Sequence, residues 1–241
     1  MHTPLKLGFL YPGQSAVDDL PRLCHLLQPQ AEAVVVHTPV HEDAHRVDAL
    51  LALGQPECLL PGARQLAAAG VSAIIWACTS GSFVFGSAGA KEQAAAIEEA
   101  VGVPSSSTSL AFADALQALN IHQVAIAATY PRDVAEKFAD FLGASGIQVV
   151  AITEQNIITA AEVGTLEKER VLAFVAASDH PDAEAIVVPD TALHTVAVLD
   201  QLEAMLGKPV LTANQVTVWQ TLRLANALTP QSGLGRLFQG Y

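Results

Sequence analysis

The chain carries the same short pattern twice, and the two copies differ at the position where a reactive side chain would lie. Residues 73–80 read AIIWACTS, and residues 185–192 read AIVVPDTA. In each copy an apolar run, which predicts a buried strand, ends on a reactive side chain and a hydroxyl residue. Open α/β sheets bind their ligands at the carboxyl ends of such strands. We therefore expect Cys78 and Asp190 to face each other across a pseudo-twofold axis.

The repetition extends upstream and downstream of these segments. The runs LGFLYP at 7–12 and VAIAATYP at 124–131 both end in Tyr-Pro, and GVPSSS at 102–107 corresponds to GKPVLT at 207–212. Apolar strands that end in polar residues are common in α/β proteins, but several anchors in each half favour a duplication. The pattern predicts two similar halves of roughly 110 residues with a shared cleft between them.

The composition predicts a soluble globular protein and disfavours several classes of partner. The 241-residue chain is 51% hydrophobic and 15% charged, which is too apolar for disorder and too often interrupted by charge, glycine and proline for a membrane span. Its formal net charge of −12 disfavours nucleic acid and anionic lipid. A small carboxylate remains compatible with this charge, because backbone N–H groups and hydroxyls in a cleft can bind it.

The cysteines and the amino terminus favour a reduced, cytoplasmic setting. Cys24, Cys58 and Cys78 are too few and too scattered for a disulfide framework or for a zinc site with paired ligands. The first six residues, MHTPLK, lack the long apolar stretch of a signal peptide. No glycine-rich phosphate loop follows a predicted strand, so the sequence predicts no nucleotide cofactor.

Strand and helix patterns alternate along the chain. Strands are predicted at 5–11, 33–37, 72–77, 123–128, 147–152, 185–189 and 208–212. Helices are predicted at 14–28, 44–53, 57–69, 89–101, 108–119, 131–144, 162–177, 192–206 and 215–227. This order predicts an α/β protein with mainly parallel sheets covered by helices on both faces. We expect an amino-terminal lobe of residues 1–117 plus 216–241 and a carboxyl-terminal lobe of residues 118–215, with the last helix packed on the first lobe.

Cys78 and Asp190 are the candidates for chemistry. Strand-end N–H groups and neighbouring hydroxyls around Cys78 favour a thiolate, whereas the alternative is a cysteine that packs as a small buried apolar residue. A carboxyl group at the end of a buried strand is costly unless it is paired, hydrogen-bonded or used in catalysis. The alternative for Asp190 is a cap for a helix that begins near Ala192.

Tyrosines at the ends of the other predicted strands should also reach the cleft. Thr129 and Tyr130 end the first strand of the second half, and Tyr11 and Pro12 end the corresponding strand of the first half. A tyrosine there is able to donate a hydrogen bond to a carboxylate, although a tyrosine at a strand end is as often a packed residue at the rim.

The histidines predict no metal site. His37, His41 and His45 have a four-residue spacing, but Pro39 interrupts the first pair and no cluster of carboxylates converges on them. A solvated loop and helix start is the simpler interpretation. His194 lies one turn beyond the second apolar run, where a residue on a helix surface is expected.

Five motifs in order along nearly the whole chain resemble the aspartate/glutamate racemase superfamily, and within it the branch of maleate cis-trans isomerases and arylmalonate decarboxylases. They are GFLYP at 8–12, ACTSGSF at 77–83, AATYPRDV at 127–134, VVPDTAL at 187–193 and GLGRLF at 233–238. The resemblance implies two pseudo-symmetric α/β/α lobes, each with a mainly parallel four-stranded sheet, and an active site in the cleft between them. It also implies an enzyme without a cofactor.

Enzymes of that superfamily place two cysteines, one from each half, on opposite faces of a small carboxylate. Racemases exchange a proton between the two thiols, maleate isomerases add the first thiol to a double bond, and arylmalonate decarboxylases keep only the second thiol as a proton donor. Cys78 matches the first position, whereas the second is Asp190 here. This departure removes a symmetric exchange between two thiols.

Further residues are expected to bind the substrate. On the resemblance, Thr79, Ser80 and Tyr130 bind one carboxylate and stabilise developing enolate charge, and Pro12 lines the cleft. Thr191, the hydroxyl residue that follows the second reactive position, is the remaining candidate.

Three functions stay open on the sequence. The first is a maleate-isomerase-like enzyme, in which the Cys78 thiolate adds to an unsaturated acid, the C–C bond rotates and the thiolate leaves. The second is a racemase or arylmalonate-type decarboxylase that uses Cys78 and Asp190 as an unlike acid/base pair. The third is a carboxylate-binding protein that has lost catalysis. The sequence does not select one acid, and its alanine-rich helices are compatible with a homodimer.

Overall fold

A computed structural model describes residues 4–240. Eight strands form within these residues: β1 Leu5–Pro12, β2 Ala31–Thr38, β3 Ile74–Trp76, β4 Ser105–Ser107, β5 Gln123–Ala128, β6 Gln148–Glu154, β7 Ala185–Val188 and β8 Val210–Thr212. The helices are α1 Asp19–Leu26, α2 Val47–Leu53, α3 Pro56–Ala68, α4 Ser80–Phe83, α5 Gly86–Val101, α6 Thr108–Ala118, α7 Arg132–Gly143, α8 Ala160–Val163, α9 Lys168–Ala177, α10 Leu199–Leu206 and α11 Ala213–Leu224.

The strands form two four-stranded sheets with the same internal order. The first sheet runs β2-β1-β3-β4 and the second runs β6-β5-β7-β8. Every strand pair in both sheets is parallel. The α/β class and the duplication of a four-stranded parallel sheet are therefore confirmed. Strands β3 and β7 occupy the same third place, which brings the two reactive positions to corresponding sheet ends.

Strand β4 is the main difference from the predicted elements. It consists of Ser105–Ser107 and pairs with β3, although three serines lack the apolar and branched side chains of the other strands. These serines are buried and find partners nearby. The Ser82 hydroxyl donates to Ser107 Oγ at 2.8 Å, and the Ser105 hydroxyl donates to the Val103 carbonyl oxygen at 2.8 Å. Local hydrogen bonds thus replace the apolar pattern on which the strand predictions rest.

Three helices also differ from the predictions. The helix predicted at 162–177 is divided into α8 and α9, and a short helix, α4, follows the end of β3. The helix predicted at 192–206 begins later, as a short 3-10 turn at Val196–Val198 that leads into α10. The segment before this turn is therefore free to form a wall of the cleft.

Gly102 and Gly207 end corresponding helices in the two halves. Gly102 follows α5, Gly207 follows α10, and both have a φ of 68°. Other residues rarely adopt this left-handed conformation, which costs them about 1–2 kcal/mol. Both glycines turn the chain from a helix into the last strand of its sheet, β4 or β8.

Aromatic side chains join the two halves below the cleft. Phe83 of α4 lies against Tyr130 and against Phe138 of α7, with ring centroids 6.0 Å and 5.2 Å apart. Phe112 of α6 lies 5.3 Å from Phe138. Each of these rings is buried, and full burial of a large apolar side chain contributes about 1.5–3 kcal/mol. The apolar contact fixes the halves relative to each other and so gives the cleft a defined shape.

Helix α11 begins directly after β8 and packs against α1, α6 and three strands of the first sheet. The proposed division into residues 1–117 plus 216–241 and residues 118–215 stays a prediction, as do the cytoplasmic setting and the homodimer. Within residues 4–240, no helix has both the length and the apolar character needed to cross a bilayer.

Candidate active site

A cavity of about 220 Å³ lies where strands of both sheets end. Strand β1 ends at it directly, and β3 and β7 each end two residues before a residue that lines it. Its walls are formed by Tyr11, Pro12, Gly13, Gln14, Ser15, Val40, Glu42, Asp43, Ala44, His45, Leu50, Leu53, Cys78, Ser80, Ala160, Ala161, Asp190, Thr191 and Ala192. The structure thus brings together five residues predicted for the site: Pro12, Cys78, Ser80, Asp190 and Thr191.

Cys78 reaches the cavity from the end of β3, with 4% of its surface exposed. The Gly81 N–H donates a hydrogen bond to Sγ at 3.3 Å, and the Ser80 hydroxyl lies 3.9 Å from Sγ. Burial outweighs these contacts and raises the pKa of Cys78 to about 11, and the negative charge of Asp190 adds to the rise. Burial therefore opposes the thiolate that the sequence favoured. The raised pKa favours the thiol at neutral pH, and a thiol is an acid.

Alkylation should report this raised pKa. We expect the rate of Cys78 modification by iodoacetamide to rise about tenfold per pH unit from about pH 7 to about pH 10 without a plateau, because the thiolate is the reactive form. The modified peptide is quantified by mass spectrometry, with urea-unfolded protein as the control. A plateau below about pH 9, where an unburied thiol levels off, would contradict the effect of burial.

Gly81 leaves no room for a larger residue beside the thiol. A Cβ added there would lie 3.0 Å from Cys78 Sγ and 3.2 Å from Cζ2 of Trp76. We expect Gly81→Ala to displace the thiol and to lower kcat by about 10- to 100-fold, since small misplacements of a reacting group are costly. Steady-state kinetics with urea denaturation measures both effects. Gly143→Ala is the matched control, because its added Cβ meets no atom within 4 Å. Equal kcat in the two variants would contradict the prediction.

Asp190 lies in the segment after β7, with 4% of its surface exposed. The Thr129 hydroxyl donates to Oδ2, and the Ala192 N–H donates to Oδ1 at 2.9 Å. The alternative of a helix cap is wrong, because no helix of the described chain begins near Ala192. Two hydrogen-bond donors instead fix the carboxyl group of Asp190 at the cavity wall.

Tyr11, Asp19 and Asn214 hold the segment after β7 in place. The Tyr11 hydroxyl donates to the Thr191 carbonyl oxygen at 2.7 Å, and the Asn214 amide donates to the same oxygen at 3.1 Å. Asp19 Oδ2 accepts hydrogen bonds from the N–H groups of residues 195 and 196 at 2.7 Å and 3.1 Å. Sequence reasoning missed Asn214 and Asp19, since their partners are distant in the chain and leave no local pattern.

Thr79 and Tyr130 are not among the residues that line this cavity, and the carboxylate-binding role expected for them stays a prediction. Tyr130 is 1% exposed, and its hydroxyl donates to the Pro189 carbonyl oxygen at 2.7 Å. The Thr79 hydroxyl is buried and has no partner among residues 4–240. Thr79 directly precedes α4, which begins at Ser80, and Ser80 lines the cavity.

His45 lines the cavity although the sequence predicted a solvated loop. Only 5% of its surface is exposed. Its Nδ1 lies 2.9 Å from the Ile157 carbonyl oxygen, and its backbone N–H donates to the Ile158 carbonyl oxygen at 2.6 Å. Its ring packs edge-on against Tyr130, with centroids 4.9 Å apart. All three contacts come from the other half of the chain, so only the tertiary structure reveals them.

The other histidines singled out in the sequence lie outside the cavity. His37 Nδ1 lies 2.7 Å from the Gly13 carbonyl oxygen, and exposed His194 pairs with Asp18 at 2.9 Å. His41 lies 4.0 Å from the Cys58 sulfur. The residues that the structure describes contain no group of three or more side chains placed to hold a metal ion.

The carboxylates dominate the charge of the cavity. Glu42, Asp43 and Asp190 line it, and no lysine or arginine of the described residues does. Glu42 is paired with Arg46 at 2.8 Å. Among the described residues, the Asp43 carboxylate accepts hydrogen bonds from the N–H groups of residues 160 and 161, at 2.8 Å and 3.0 Å.

Comparison with known proteins decides the family. The sequence model of the arylmalonate decarboxylase family matches residues 57–238. The chain belongs to this family. An arylmalonate decarboxylase from Bordetella bronchiseptica is 32% identical over 188 residues, which cover 76% of this chain and 77% of that protein. A maleate isomerase from Alcaligenes faecalis is 26% identical over 144 residues, or 59% of this chain and 57% of that protein.

Solved structures of the same branch share the fold. A liganded arylmalonate decarboxylase mutant, with one glycine changed to cysteine and one cysteine to serine, is 25% identical with a TM-score of 0.87 over 98% of this chain and 99% of that chain. A Nocardia farcinica maleate cis-trans isomerase mutant with a covalently bound succinylcysteine intermediate is 22% identical, with a TM-score of 0.89 over 98% and 99%. The arylmalonate decarboxylase family and its maleate isomerase relatives are enzymes. An enzyme is therefore supported here, whereas the choice between the two reactions stays open.

Proposed function

We propose that the protein is a cofactor-independent enzyme that forms a carbanion beside the carboxylate of a small acid and then protonates it, as a racemase or a malonate-type decarboxylase does. Cys78 is the proton donor, and Asp190 is the base contributed by the other half. One observation carries this proposal: the thiol and the carboxylate extend from the corresponding strands β3 and β7 and line one cavity. Unlike acid and base groups at one carbon are what such a reaction needs.

The two routes differ in the bond that breaks. In racemisation, Asp190 removes the α-proton, the electron pair moves into the carboxylate as an enediolate, and the Cys78 thiol delivers its proton to the other face. The thiolate and the protonated carboxyl return to the starting state by the reverse transfer or through solvent. In decarboxylation, the C–C bond breaks instead, CO₂ leaves, and the electron pair stays on the α-carbon. Cys78 protonates that carbon and regains a proton from solvent.

The remaining wall residues suit a bound carboxylate. We assign the Ser80 and Thr191 hydroxyls to hydrogen bonds with the substrate carboxylate, where enediolate charge develops, and Pro12 to the shape of the wall. Tyr130 supports the site indirectly, because its hydroxyl holds the Pro189 carbonyl next to the base.

Covalent isomerisation, which the sequence favoured, ranks second. It needs a thiolate, and burial together with the nearby carboxylate opposes one by raising the pKa of Cys78 to about 11. The Gly81 N–H on Sγ and the nearby Ser80 hydroxyl support this second candidate, since both favour the charged sulfur. In this route Asp190 accepts the thiol proton before the sulfur adds to the double bond.

A panel of acids separates these reactions. Wild-type protein in D₂O is incubated with single enantiomers of 2-substituted acids, with 2-substituted malonates and with maleate. Incorporation of deuterium at the α-carbon or release of CO₂ supports the proposal. Conversion of maleate to fumarate without label in the product supports the isomerase. Thermal shifts by these acids without any turnover would instead support the non-catalytic carboxylate-binding protein.

A further inference from the structure

His45 lines the cavity and has a ring nitrogen that the proposed proton transfer does not use. Only 5% of the surface of His45 is exposed, yet the residue lines the cavity. Its Nδ1 must carry the proton, because a carbonyl oxygen, that of Ile157, is its partner at 2.9 Å and only accepts. In the neutral imidazole, Nε2 therefore presents a lone pair. Within residues 4–240, the hydrogen bond of the His45 ring is the one that Nδ1 makes.

The surroundings of His45 select the charge of a ligand group. The carboxylate of Asp43, two residues away, also lines the cavity, and the cavity lining in the described chain supplies no lysine or arginine. A ligand carboxylate at this end would meet a lone pair and a like charge. A hydroxyl, amide N–H or ammonium group would find an acceptor and a favourable charge.

The cavity wall also contains apolar residues that suit the carbon chain of a ligand. Val40, Leu50 and Leu53 line the cavity beside residues 160 and 161, which are alanines. They suit the methylene groups of a short substituent.

We propose that His45 is a specificity-determining residue, and that the substituent on the reacting carbon of the substrate carries a hydrogen-bond donor for its Nε2 rather than a second carboxylate. This inference rests on the proposed function insofar as it calls the ligand a substrate. Recognition of the ligand by His45 is a binding property, and it is measured without turnover. An acid with a hydroxyl or amino group in its substituent should bind more tightly than its methyl analogue, and its carboxylate analogue should bind most weakly.

The test compares two substitutions of His45. Each keeps a hydrogen-bonding atom at the position of one ring nitrogen and loses the other. Asn matches the position of Nδ1, so His45→Asn keeps a donor for the Ile157 carbonyl and loses the acceptor in the cavity. Gln extends to the position of Nε2, so His45→Gln keeps an acceptor there and loses the bond to the carbonyl. His37→Asn is the matched control, because His37 also bonds a carbonyl oxygen through Nδ1 but does not line the cavity.

Binding is measured by calorimetry in a Cys78→Ala background, in which no proton donor remains. The probes are three- to six-carbon acids and malonates, arranged in sets. The members of a set have the same substituent and differ only in its terminal group, which is a hydroxyl, amino, methyl or carboxylate group. We expect His45→Asn to weaken binding of the best donor-bearing acid by about 10- to 100-fold and that of its methyl analogue by less than about threefold, since an unpaired polar group costs that much. His45→Gln should recover part of the loss, and His37→Asn should change neither.

Equal weakening of all probes by His45→Asn, or tighter binding of the methyl or carboxylate members by the parent protein, would overturn this inference. Both results leave the proposed function intact, because it is judged by label exchange and CO₂ release in the protein that retains Cys78. Conversely, a donor preference that depends on His45 without turnover of any probe would support the inference and count against the proposed function.

Discussion

Replacement of Cys78 by alanine should abolish turnover and leave the protein folded. The thiol is the proton donor that the proposal places at this wall, so we expect kcat to fall by about 1,000-fold or more. The free energy of unfolding should change by no more than about 1–2 kcal/mol, because alanine removes one buried sulfur atom and leaves a small cavity. Steady-state kinetics with an acid that the wild-type protein converts measures kcat, and urea denaturation measures the free energy of unfolding.

Cys24→Ala is the matched control for the lost sulfur. Cys24 is fully buried, and burial raises its pKa to about 12, but it lies in α1 and does not line the cavity. This variant should keep its kcat within about twofold. Retention of most activity by Cys78→Ala would contradict both the proton-donor and the covalent route. Mass spectrometry of wild-type protein quenched during turnover separates those routes, since only covalent addition leaves a substrate adduct on Cys78.

The duplication could be predicted because its signals are local. Apolar runs such as 73–77 and 185–188 become strands of parallel sheets in the structure, and their equivalent places in the two sheets agree with the repeat. Parallel strands of the two halves bring their carboxyl ends to one cleft. That rule places Cys78 and Asp190 on the same cavity without knowledge of any contact between the halves.

The parts that could not be predicted depend on distant contacts. Strand β4 is made of three buried serines, and the hydroxyls of Ser105 and Ser107 form hydrogen bonds, so its polar sequence carries no strand signal. His45 lies in a polar loop, and its burial depends on contacts with the second half of the chain. There the carbonyl oxygens of Ile157 and Ile158 accept hydrogen bonds from its Nδ1–H and its backbone N–H. The protonation state of Cys78 follows from burial, which neighbouring residues in the sequence do not report. Local sequence therefore gives the positions of reactive groups more readily than their electrostatic environment.

Asp190→Asn should lower activity and make Cys78 easier to ionise. Asparagine keeps an oxygen for the Ala192 N–H and a nitrogen that donates to the Thr129 hydroxyl oxygen, so the segment should stay in place. Without a carboxylate, no base removes the α-proton at this wall, and we expect kcat for racemisation to fall by about 100- to 10,000-fold.

The same substitution should lower the pKa of Cys78, because the negative charge of Asp190 contributes to raising it. Burial, the larger cause, remains, so the pKa should stay above that of a free cysteine. A lower pKa means more thiolate at a given pH, so Cys78 of the variant should react faster with iodoacetamide at about pH 8 than in wild type. Asp133→Asn, an exposed position in the first turn of α7, is the control and should change neither quantity.

The combination of the two readouts distinguishes the possible roles of Asp190. Loss of activity together with faster alkylation supports a carboxylate that is both the base and a source of negative charge for Cys78. Faster alkylation with retained or increased turnover would contradict Asp190 as the base of either route and would leave it only as a charge that suppresses the Cys78 thiolate. An unchanged alkylation rate would mean that the carboxylate does not act electrostatically on the thiol, and the unlike acid/base pair would lose its physical basis.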